Sequence, residues 1–291
     1  MNGILLIDKP GGWTSSDVVA KLRGVLHEKR IGHAGTLDPM ATGLLVLFVG
    51  RATRACSFAE AEDKEYLAAL RLGLTTDTQD VTGRTLRSAD ASHVTEALLR
   101  RTLRRFEGEI EQVPPMYSAI KQNGKKLYEI ARRGGEVERK PRAITVRRFE
   151  LAGRSGEDWL LDIACSKGTY VRTLCHDVGE SLGCGGCMSA LRRMRAGRFS
   201  VGDAHTLPEV IAAAAEGRAE ELLLPLDSLF SDYPVLRADA EAARFIRCGS
   251  EAAMPGTPDR VWRVYDDAGA FLALSRTESG VLTTIKSFFE V

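Results

Sequence analysis

The chain contains 291 residues, of which 44% are hydrophobic and 27% are charged, and its formal net charge is +1. These proportions are typical of a soluble globular protein, and no apolar run in the sequence is long enough for a membrane-spanning helix. The N-terminal residues lack the basic start and cleavage site of a signal peptide, so we expect a cytoplasmic protein without membrane contact.

The spacing of apolar residues between glycines, prolines and polar turns predicts the regular elements. In chain order we predict a strand (Gly3–Asp8), a helix capped by Thr14, Ser15 or Ser16, a buried strand (Leu44–Gly50), a strand (Lys64–Gly73), a helix (Val94–Phe106), a short helix (Leu127–Ala131), an antiparallel strand pair (Ile144–Leu151 and Trp159–Ser166), a helix (Val171–Leu182) and three short strands (Val261–Tyr265, Phe271–Ser275 and Val281–Phe289). A break at Leu224–Pro234 sets the last three strands apart as a small β-rich unit.

The segment Gly32–Gly43 places a single carboxylate, Asp38, among glycines and directly before Pro39. Because the residue before proline is disfavoured in a helix, Asp38 is predicted to lie on a stiff loop before the buried strand. An acid held in this way suits a nucleophile or a base. It suits a metal site poorly, because no second acid or histidine pair lies nearby. An Asp–Pro turn near glycine is also an ordinary structural turn, so the segment alone leaves both interpretations open.

Basic residues are concentrated in two segments of an otherwise acidic chain. Residues 121–148 contain ten Lys or Arg and three Glu, and residues 188–202 contain four Arg and no acid. Such clustering indicates a binding surface for a polyanion. Exposed, solvated charges are the alternative, and charge alone does not decide between the two.

Three further segments combine small residues, glycine and a few polar side chains, as the walls of binding pockets often do. They are Lys9–Pro10, Lys64–Tyr66 and Lys167–Arg172. An arginine near a helix start can pair with a carboxylate, and a tyrosine can stack on an unpaired nucleobase. The alternatives are a tyrosine that only packs against its neighbours and an arginine that faces water.

The six cysteines are expected to be reduced thiols in a cytoplasmic chain. Cys184 and Cys187 have the C-x-x-C spacing, but no second pair of Cys or His has the spacing of a zinc site. Packing thiols are the favoured interpretation, and a redox role stays open.

The segment Gly32–Gly43 resembles the active-site motif of the TruB family of tRNA pseudouridine synthases. Other segments resemble further motifs of that family, in the family's order. They are a first motif at Gly3–Pro10, a tyrosine motif at Asp63–Tyr66, the start of an RNA-clamping insertion at Met116–Arg132, an arginine motif at Ser166–Leu174 and a later motif at Ala190–Arg193. The resemblance covers about residues 3–200 and is weaker beyond Phe230.

The resemblance implies an α+β fold with a mixed, mainly antiparallel central sheet flanked by helices. The catalytic domain would comprise residues 1–230, with a basic RNA-clamping insertion at about 121–148, and residues 231–291 would form a PUA-like RNA-binding domain. The implied activity is isomerisation of uridine to pseudouridine at position 55, in the T-loop of tRNA, by base flipping. The implied enzyme needs no cofactor and no metal, binds the T-arm stem-loop and is a monomer.

The resemblance also implies roles for individual residues. Asp38 would be the nucleophile, attacking either the sugar or the base ring. Tyr66 would stack on the flipped uracil and help to remove the C5 proton. Arg172 would pair with Asp38, orient it and lower its pKa. The substrate-binding residues would be Tyr170 and Leu191 in the base pocket, His33 against the RNA, and Lys9 and Pro10 behind the active-site loop.

Two other functions are compatible with the same basic segments. One is a pseudouridine synthase that acts on another RNA, and the other is a non-catalytic RNA-binding or RNA-folding module. Simple binding requires no carboxylate facing phosphates, so the combination of Asp38, Tyr66 and Arg172 favours an enzyme.

Overall fold

The computed structural model describes residues 1–122 and 124–289. Its strands are β1 (Gly3–Lys9), β2 (Ile31–Ala34), β3 (Thr42–Val49), β4 (Lys64–Leu72), β5 (Leu74–Thr76), β6 (Thr85–Ser88), β7 (Gly108–Gln112), β8 (Lys121–Gln122), β9 (Lys125–Lys126), β10 (Arg142–Ser155), β11 (Asp158–Cys165), β12 (Gly186–Ala196), β13 (Phe199–Ser200), β14 (Val235–Arg237), β15 (Ala252–Ala253), β16 (Val261–Tyr265), β17 (Phe271–Glu278) and β18 (Val281–Ser287). Its α-helices are α1 (Ser15–Val25), α2 (Cys56–Glu60), α3 (Glu96–Leu103), α4 (Leu127–Ala131), α5 (Val171–Ser181), α6 (Leu207–Ala215) and α7 (Ala240–Arg247). Asn123 of the predicted insertion and the last two residues of the predicted C-terminal unit lie outside the described residues.

The central sheet has the strand order β1-β3-β12-β4-β11-β10-β7, with β2 paired to β3 and β13 paired to β12. Its strand pairs are antiparallel except for the parallel pair of β12 and β3. The predicted α+β class with a mixed, mainly antiparallel sheet is therefore confirmed. None of the helices in the described part of the chain is long and apolar enough to cross a membrane.

Strand β3 is buried on both faces, which explains why its sequence is continuously apolar. Leu45, Leu47 and Val49 pack into one cluster with the apolar faces of helices α1, α3, α5 and α6. Leu44 and Phe48 point the opposite way into a second cluster, which includes side chains of the C-terminal strands. The strand therefore anchors the preceding loop, which carries Asp38, to the centre of the molecule.

The C-terminal strands form a separate five-stranded sheet in the order β14-β16-β17-β18-β15. This sheet packs on the rest of the chain through aromatic side chains. The Phe230 ring lies 5.6 Å from that of Phe288, and it meets Phe58 of α2 edge-on at 5.3 Å. The division into domains 1–230 and 231–291 stays a prediction, and the structure adds the contact that joins the two sheets.

The arginine-rich segment 188–202 does not form the free basic surface that its charge suggested. Most of it belongs to β12, inside the central sheet. Arg193 is buried, Arg192 pairs with Asp8 at 2.7 Å, and the side chains of Arg195 and Arg198 also contact carboxylates. Strand β12 was not predicted, because its arginines obscure the alternation of its buried residues.

The basic segment 121–148 is divided by the structure. Residues from Arg142 onwards belong to β10. Arg147 pairs with Asp63, just before β4, and Arg148 pairs with Glu65 of β4 and Asp162 of β11. The part of this basic segment that lies outside the central sheet therefore ends before Arg142. It contains the β8–β9 hairpin and helix α4.

Candidate active site

A cavity of about 390 Å³ opens where the Asp38 loop, the start of β4, the middle of β12 and the start of α5 meet. A volume of this order is typical of a small-molecule site. Its lining residues are Gly35, Thr36, Leu37, Asp38, Glu60, Lys64, Tyr66, Tyr117, Ser118, Ala119, Ser166, Gly168, Thr169, Tyr170, Val171, Arg172, Leu191 and Arg193. Five residues predicted for the site, namely Asp38, Tyr66, Arg172, Tyr170 and Leu191, are among them.

The Asp38 loop is held in place on both sides. The Ser15 hydroxyl accepts a hydrogen bond from the backbone N–H of Leu37 at 2.9 Å, and the backbone N–H of Ala41 donates to the Asp38 carbonyl at 3.0 Å. The loop joins β3 through Gly43, whose φ of +95° favours glycine. A Cβ atom at this position would lie 2.3 Å from the Arg193 carbonyl oxygen, so only glycine fits the close approach to β12.

Arg172 contacts both oxygens of the Asp38 carboxylate. The distances are 2.9 Å from Nε to Oδ2 and 3.3 Å from Nη2 to Oδ1. The guanidinium also donates to the carbonyl oxygens of Thr78 at 3.0 Å and Tyr117 at 2.8 Å. Because Arg172 is buried and makes all of these contacts, its orientation is fixed, and a two-point contact then fixes the orientation of Asp38.

A second carboxylate, Asp80, lies 3.6 Å from Nη1 of Arg172 and is buried with it. Its Oδ1 accepts hydrogen bonds from the hydroxyls of Thr78 at 2.8 Å and Thr82 at 2.6 Å. The role of Asp80 was not predicted from the sequence. The sequence pattern that could have indicated it is an acid flanked by threonines at i−2 and i+2, because this spacing lets both hydroxyls reach one carboxylate.

Arg172 acts to lower the pKa of Asp38, as expected, but it does not set the net direction. Burial of the carboxyl raises the Asp38 pKa, and this effect outweighs the opposing influence of Arg172. The negative charge of Asp80 raises the pKa further, and the positive charge of Lys9 acts in the opposite direction. Arg172 therefore limits a pKa that desolvation has already increased.

Tyr66 lies near the start of β4, opposite Arg193 of β12 in the antiparallel register. Burial raises the pKa of its phenol, with Arg193 acting in the opposite direction. The phenol is therefore neutral at physiological pH, so its ring can stack on a base and its hydroxyl can still exchange a proton through a hydrogen bond.

Arg193 is a buried cation that was predicted only as part of the motif Ala190–Arg193. Its Nε donates to the Leu44 carbonyl at 2.6 Å, and its Nη2 donates to the Gly35 carbonyl at 3.1 Å. It thus joins strand β3, the Asp38 loop and Tyr66. Its burial could not be inferred from a segment in which the neighbouring arginines are at least partly exposed.

Two buried lysines hold the backbone around the cavity. Nζ of Lys9 donates to the carbonyl oxygens of Pro10 at 2.9 Å and Trp13 at 2.7 Å, and it lies 3.4 Å from that of Pro39. Nζ of Lys64 donates to the carbonyl oxygens of Glu60 at 2.7 Å and Glu62 at 2.5 Å. Burial lowers the pKa of both lysines to about 8.

Three predicted site residues do not line the cavity. Lys9 lies behind the Asp38 loop, and Pro10 is exposed. His33 lies in β2 rather than on the loop and is half-buried. Its Nδ1 has no hydrogen-bond partner among the described residues, and burial lowers its pKa, so the ring is neutral.

The cysteines of the C-x-x-C motif are free thiols buried in the protein. Burial raises the pKa of Cys187 to about 11 and also raises that of Cys184. A thiol with a raised pKa is a poor nucleophile, which favours the packing interpretation.

Solved structures share this fold. The chain of a "Cbf5-Nop10-Gar1 Complex" is 26% identical, with a TM-score of 0.75, over 99% of this chain and 85% of that one. The chain of an "H/ACA RNP bound to a substrate RNA containing 2'-deoxyuridine" has a TM-score of 0.74 at 24% identity, over 99% of this chain and 85% of that one. The mixed sheet and its C-terminal β unit are those of the pseudouridine synthase fold.

Sequence comparison identifies the family within that fold. The family model described as "TruB family pseudouridylate synthase (N terminal domain)" matches residues 23–171, and "tRNA pseudouridylate synthase B C-terminal domain" matches residues 172–231. A tRNA pseudouridine synthase B of Aromatoleum aromaticum is 45% identical over 96% of this chain and 89% of its own length. That of Pelotomaculum thermopropionicum is 45% identical over 88% of this chain and 83% of its own length. The chain belongs to the TruB family of pseudouridylate synthases.

Proposed function

We propose that this protein converts the uridine at position 55, in the T-loop of tRNA, to pseudouridine, with Asp38 as the nucleophile. The proposal depends above all on the two-point pairing of Asp38 with Arg172 at the wall of a cavity that Tyr66 also lines. The names of the curated relatives, which are tRNA pseudouridine synthases B, support tRNA as the substrate.

The reaction exchanges the C1′–N1 bond of uridine for a C1′–C5 bond, while C5 loses a proton and N1 gains one. It needs neither an oxidant nor an added group, so we propose that no cofactor and no metal takes part. Asp38 supplies the attacking carboxylate, and Arg172 holds it in one orientation. Tyr66, Tyr170 and Leu191 enclose the base while it is free of the sugar.

The reacting atoms of a stacked uridine are out of reach, so the base must be extruded at a cost of about a few kcal/mol. We propose that phosphate contacts to the basic segment between Lys121 and Arg142 offset this cost. The partner would be the T-arm stem-loop of tRNA, bound in the cytoplasm by a monomer. His33 would contact RNA beside the extruded nucleotide, and Lys9 and Pro10 would support the Asp38 loop.

The two roles of Tyr66 can be separated by substitution. Because the neutral ring suffices for stacking, Tyr66→Phe is expected to retain RNA affinity while kcat falls by about 10²-fold, the effect of losing a proton-transfer group. Tyr66→Leu also loses the aromatic face, so the dissociation constant should rise roughly tenfold. Binding and single-turnover assays with a stem-loop RNA measure both effects. An unchanged kcat in Tyr66→Phe would restrict Tyr66 to stacking.

The raised pKa of Asp38 predicts the acidic limit of the reaction. Only the ionised carboxylate can attack, so kcat/KM should fall as the pH decreases through the Asp38 pKa. The midpoint of this acidic limb of the pH–rate profile should lie above pH ~4, the usual pKa of an aspartate. A pH–rate profile over the range in which the protein stays folded measures it. A limb at or below the ordinary aspartate value would contradict the direction assigned here.

The substrate is tested by mapping pseudouridine in the RNA of cells that lack the protein. Loss of modification at the T-loop uridine of tRNA is expected, with restoration by the wild-type gene but not by an Asp38→Asn variant. Loss at a different RNA site would redirect the substrate assignment.

A further inference from the structure

A second cavity, of about 340 Å³, lies beside the active site on the basic insertion. Its lining residues are Pro114, Ile120, Lys121, Gln122, Leu127, Glu138, Arg139, Lys140 and Arg142. None of them is used in the reaction proposed above as a group that contacts the target uridine. The volume is comparable with that of the active-site cavity and lies in the range of small-ligand pockets.

The walls of the second cavity combine two chemical characters. Pro114, Ile120 and Leu127 provide an apolar floor, of which Pro114 and Leu127 are buried. Lys121, Arg139, Lys140 and Arg142 provide cations around it, and Glu138 is the only acid among the described lining residues. An apolar surface for a flat ring, surrounded by cations for a phosphate, suits a nucleotide.

Arg139 strengthens this interpretation because one of its donors is unused. Its Nη1 donates to the Pro114 carbonyl at 3.2 Å, and its Nη2 pairs with Glu136 at 3.1 Å. Its Nε is buried and has no hydrogen-bond partner among the described residues. A buried donor without a partner is costly, and a bound polar group would satisfy it.

The two cavities are neighbours along one continuous segment. Tyr117, Ser118 and Ala119 line the active-site cavity, and the next residue, Ile120, begins the wall of the second. Arg142 links them as well. Burial raises the pKa of Tyr170 in the active site, and Arg142 is close enough to be one of the groups that oppose the rise. A chain whose uridine occupies the first cavity could therefore place a neighbouring nucleotide in the second.

We propose that the second cavity binds the base of one nucleotide that flanks the target uridine, with its phosphate held by the cations around the opening. This inference rests on the proposed function, because it requires a uridine-containing RNA in the active site. It assigns to the insertion a specific nucleotide-binding subsite in addition to its general attraction for phosphates.

The test combines an altered RNA with an altered cavity. Stem-loop RNAs are prepared in which each nucleotide flanking the target is replaced in turn by an abasic residue. Binding to the wild-type protein should weaken roughly tenfold at one position, the loss expected for one base contact. Ile120→Trp fills the cavity, so this variant should bind the intact RNA about tenfold more weakly. The abasic replacement at the same position should then have almost no further effect.

Ile130→Trp is the matched control, because Ile130 lies on α4 of the same insertion but outside this cavity. In that variant the abasic replacement should retain its full effect. Ile120→Ala provides a second measurement if the tryptophan disturbs folding, which thermal unfolding reveals. Because Ile120→Ala shortens a side chain of the cavity floor, it should reduce the loss of binding caused by the abasic replacement at the same position. An undiminished loss in both Ile120 variants would overturn the proposal.

A failure of the proposed function and a failure of the second subsite give different results. If the wild-type protein forms no pseudouridine in the intact stem-loop, the proposed function itself fails. If it does, and abasic effects at every flanking position simply add to those of Ile120→Trp, only the second subsite is wrong.

Discussion

Replacing Asp38 by asparagine is expected to lower kcat for pseudouridine formation by about 10⁴-fold or more, while RNA affinity stays within about twofold. The amide has nearly the same shape and can still accept a hydrogen bond from Arg172, so the cavity should keep its form. It cannot ionise, however, and it supplies no nucleophile. Single-turnover rates and dissociation constants measured on one stem-loop RNA separate the two effects.

Asp203→Asn is the matched control, since Asp203 is exposed and does not line the cavity. Its kcat and RNA affinity should equal those of the wild type. Wild-type turnover in Asp38→Asn would exclude Asp38 as the nucleophile. An equal loss of turnover and binding would instead indicate that Asp38 mainly holds the structure of the cavity.

Replacing Arg172 by glutamine is expected to lower kcat by about 10³-fold, the upper range for removing one preorganised donor group. The free energy of unfolding should also fall by about 3 kcal/mol, because Asp80 would remain buried without the cation beside it. Chemical denaturation and single-turnover kinetics measure these effects independently. The loss in kcat should persist under conditions in which the variant is fully folded.

The pH profile distinguishes a direct effect of Arg172 on Asp38 from a merely structural one. Arg172 opposes the rise in the Asp38 pKa, so its removal should move the acidic limb of kcat/KM to higher pH. Arg172→Lys retains the charge but not the two-point contact, so it should keep the limb near the wild-type position with a reduced rate. A limb that does not move in Arg172→Gln would contradict the electrostatic role.

Local sequence patterns predicted the elements that depend mainly on residues close together in the chain. Thr14 was among the expected caps of the first helix, and in the structure its hydroxyl accepts from the backbone N–H of Asp17 at 3.0 Å. The continuous apolar run of β3 indicated a strand buried on both faces. Strand β12 was missed because its burial depends on its neighbours β3 and β4, which supply partners for charged side chains that sequence reasoning assigns to water.

The candidate site could likewise be predicted only in part from the sequence. Asp38, Tyr66 and Arg172 could be singled out from motifs, and the structure brings all three to one cavity. Their catalytic roles stay predictions. The burial of Arg193 and the contact between Asp80 and Arg172 could not be predicted, because each depends on segments that are distant in the chain.

The sequence by itself determined the family motifs, the stiff loop that carries Asp38 and the apolar run that anchors it, because glycine, proline and hydrophobic periodicity act over a few residues. Only the tertiary structure decided the direction of the Asp38 pKa and the presence of a second cavity beside the active site. Asp38 and Arg172 are 134 positions apart in the chain. Desolvation and charge pairing depend on which distant groups the fold brings together, and no local pattern records that arrangement.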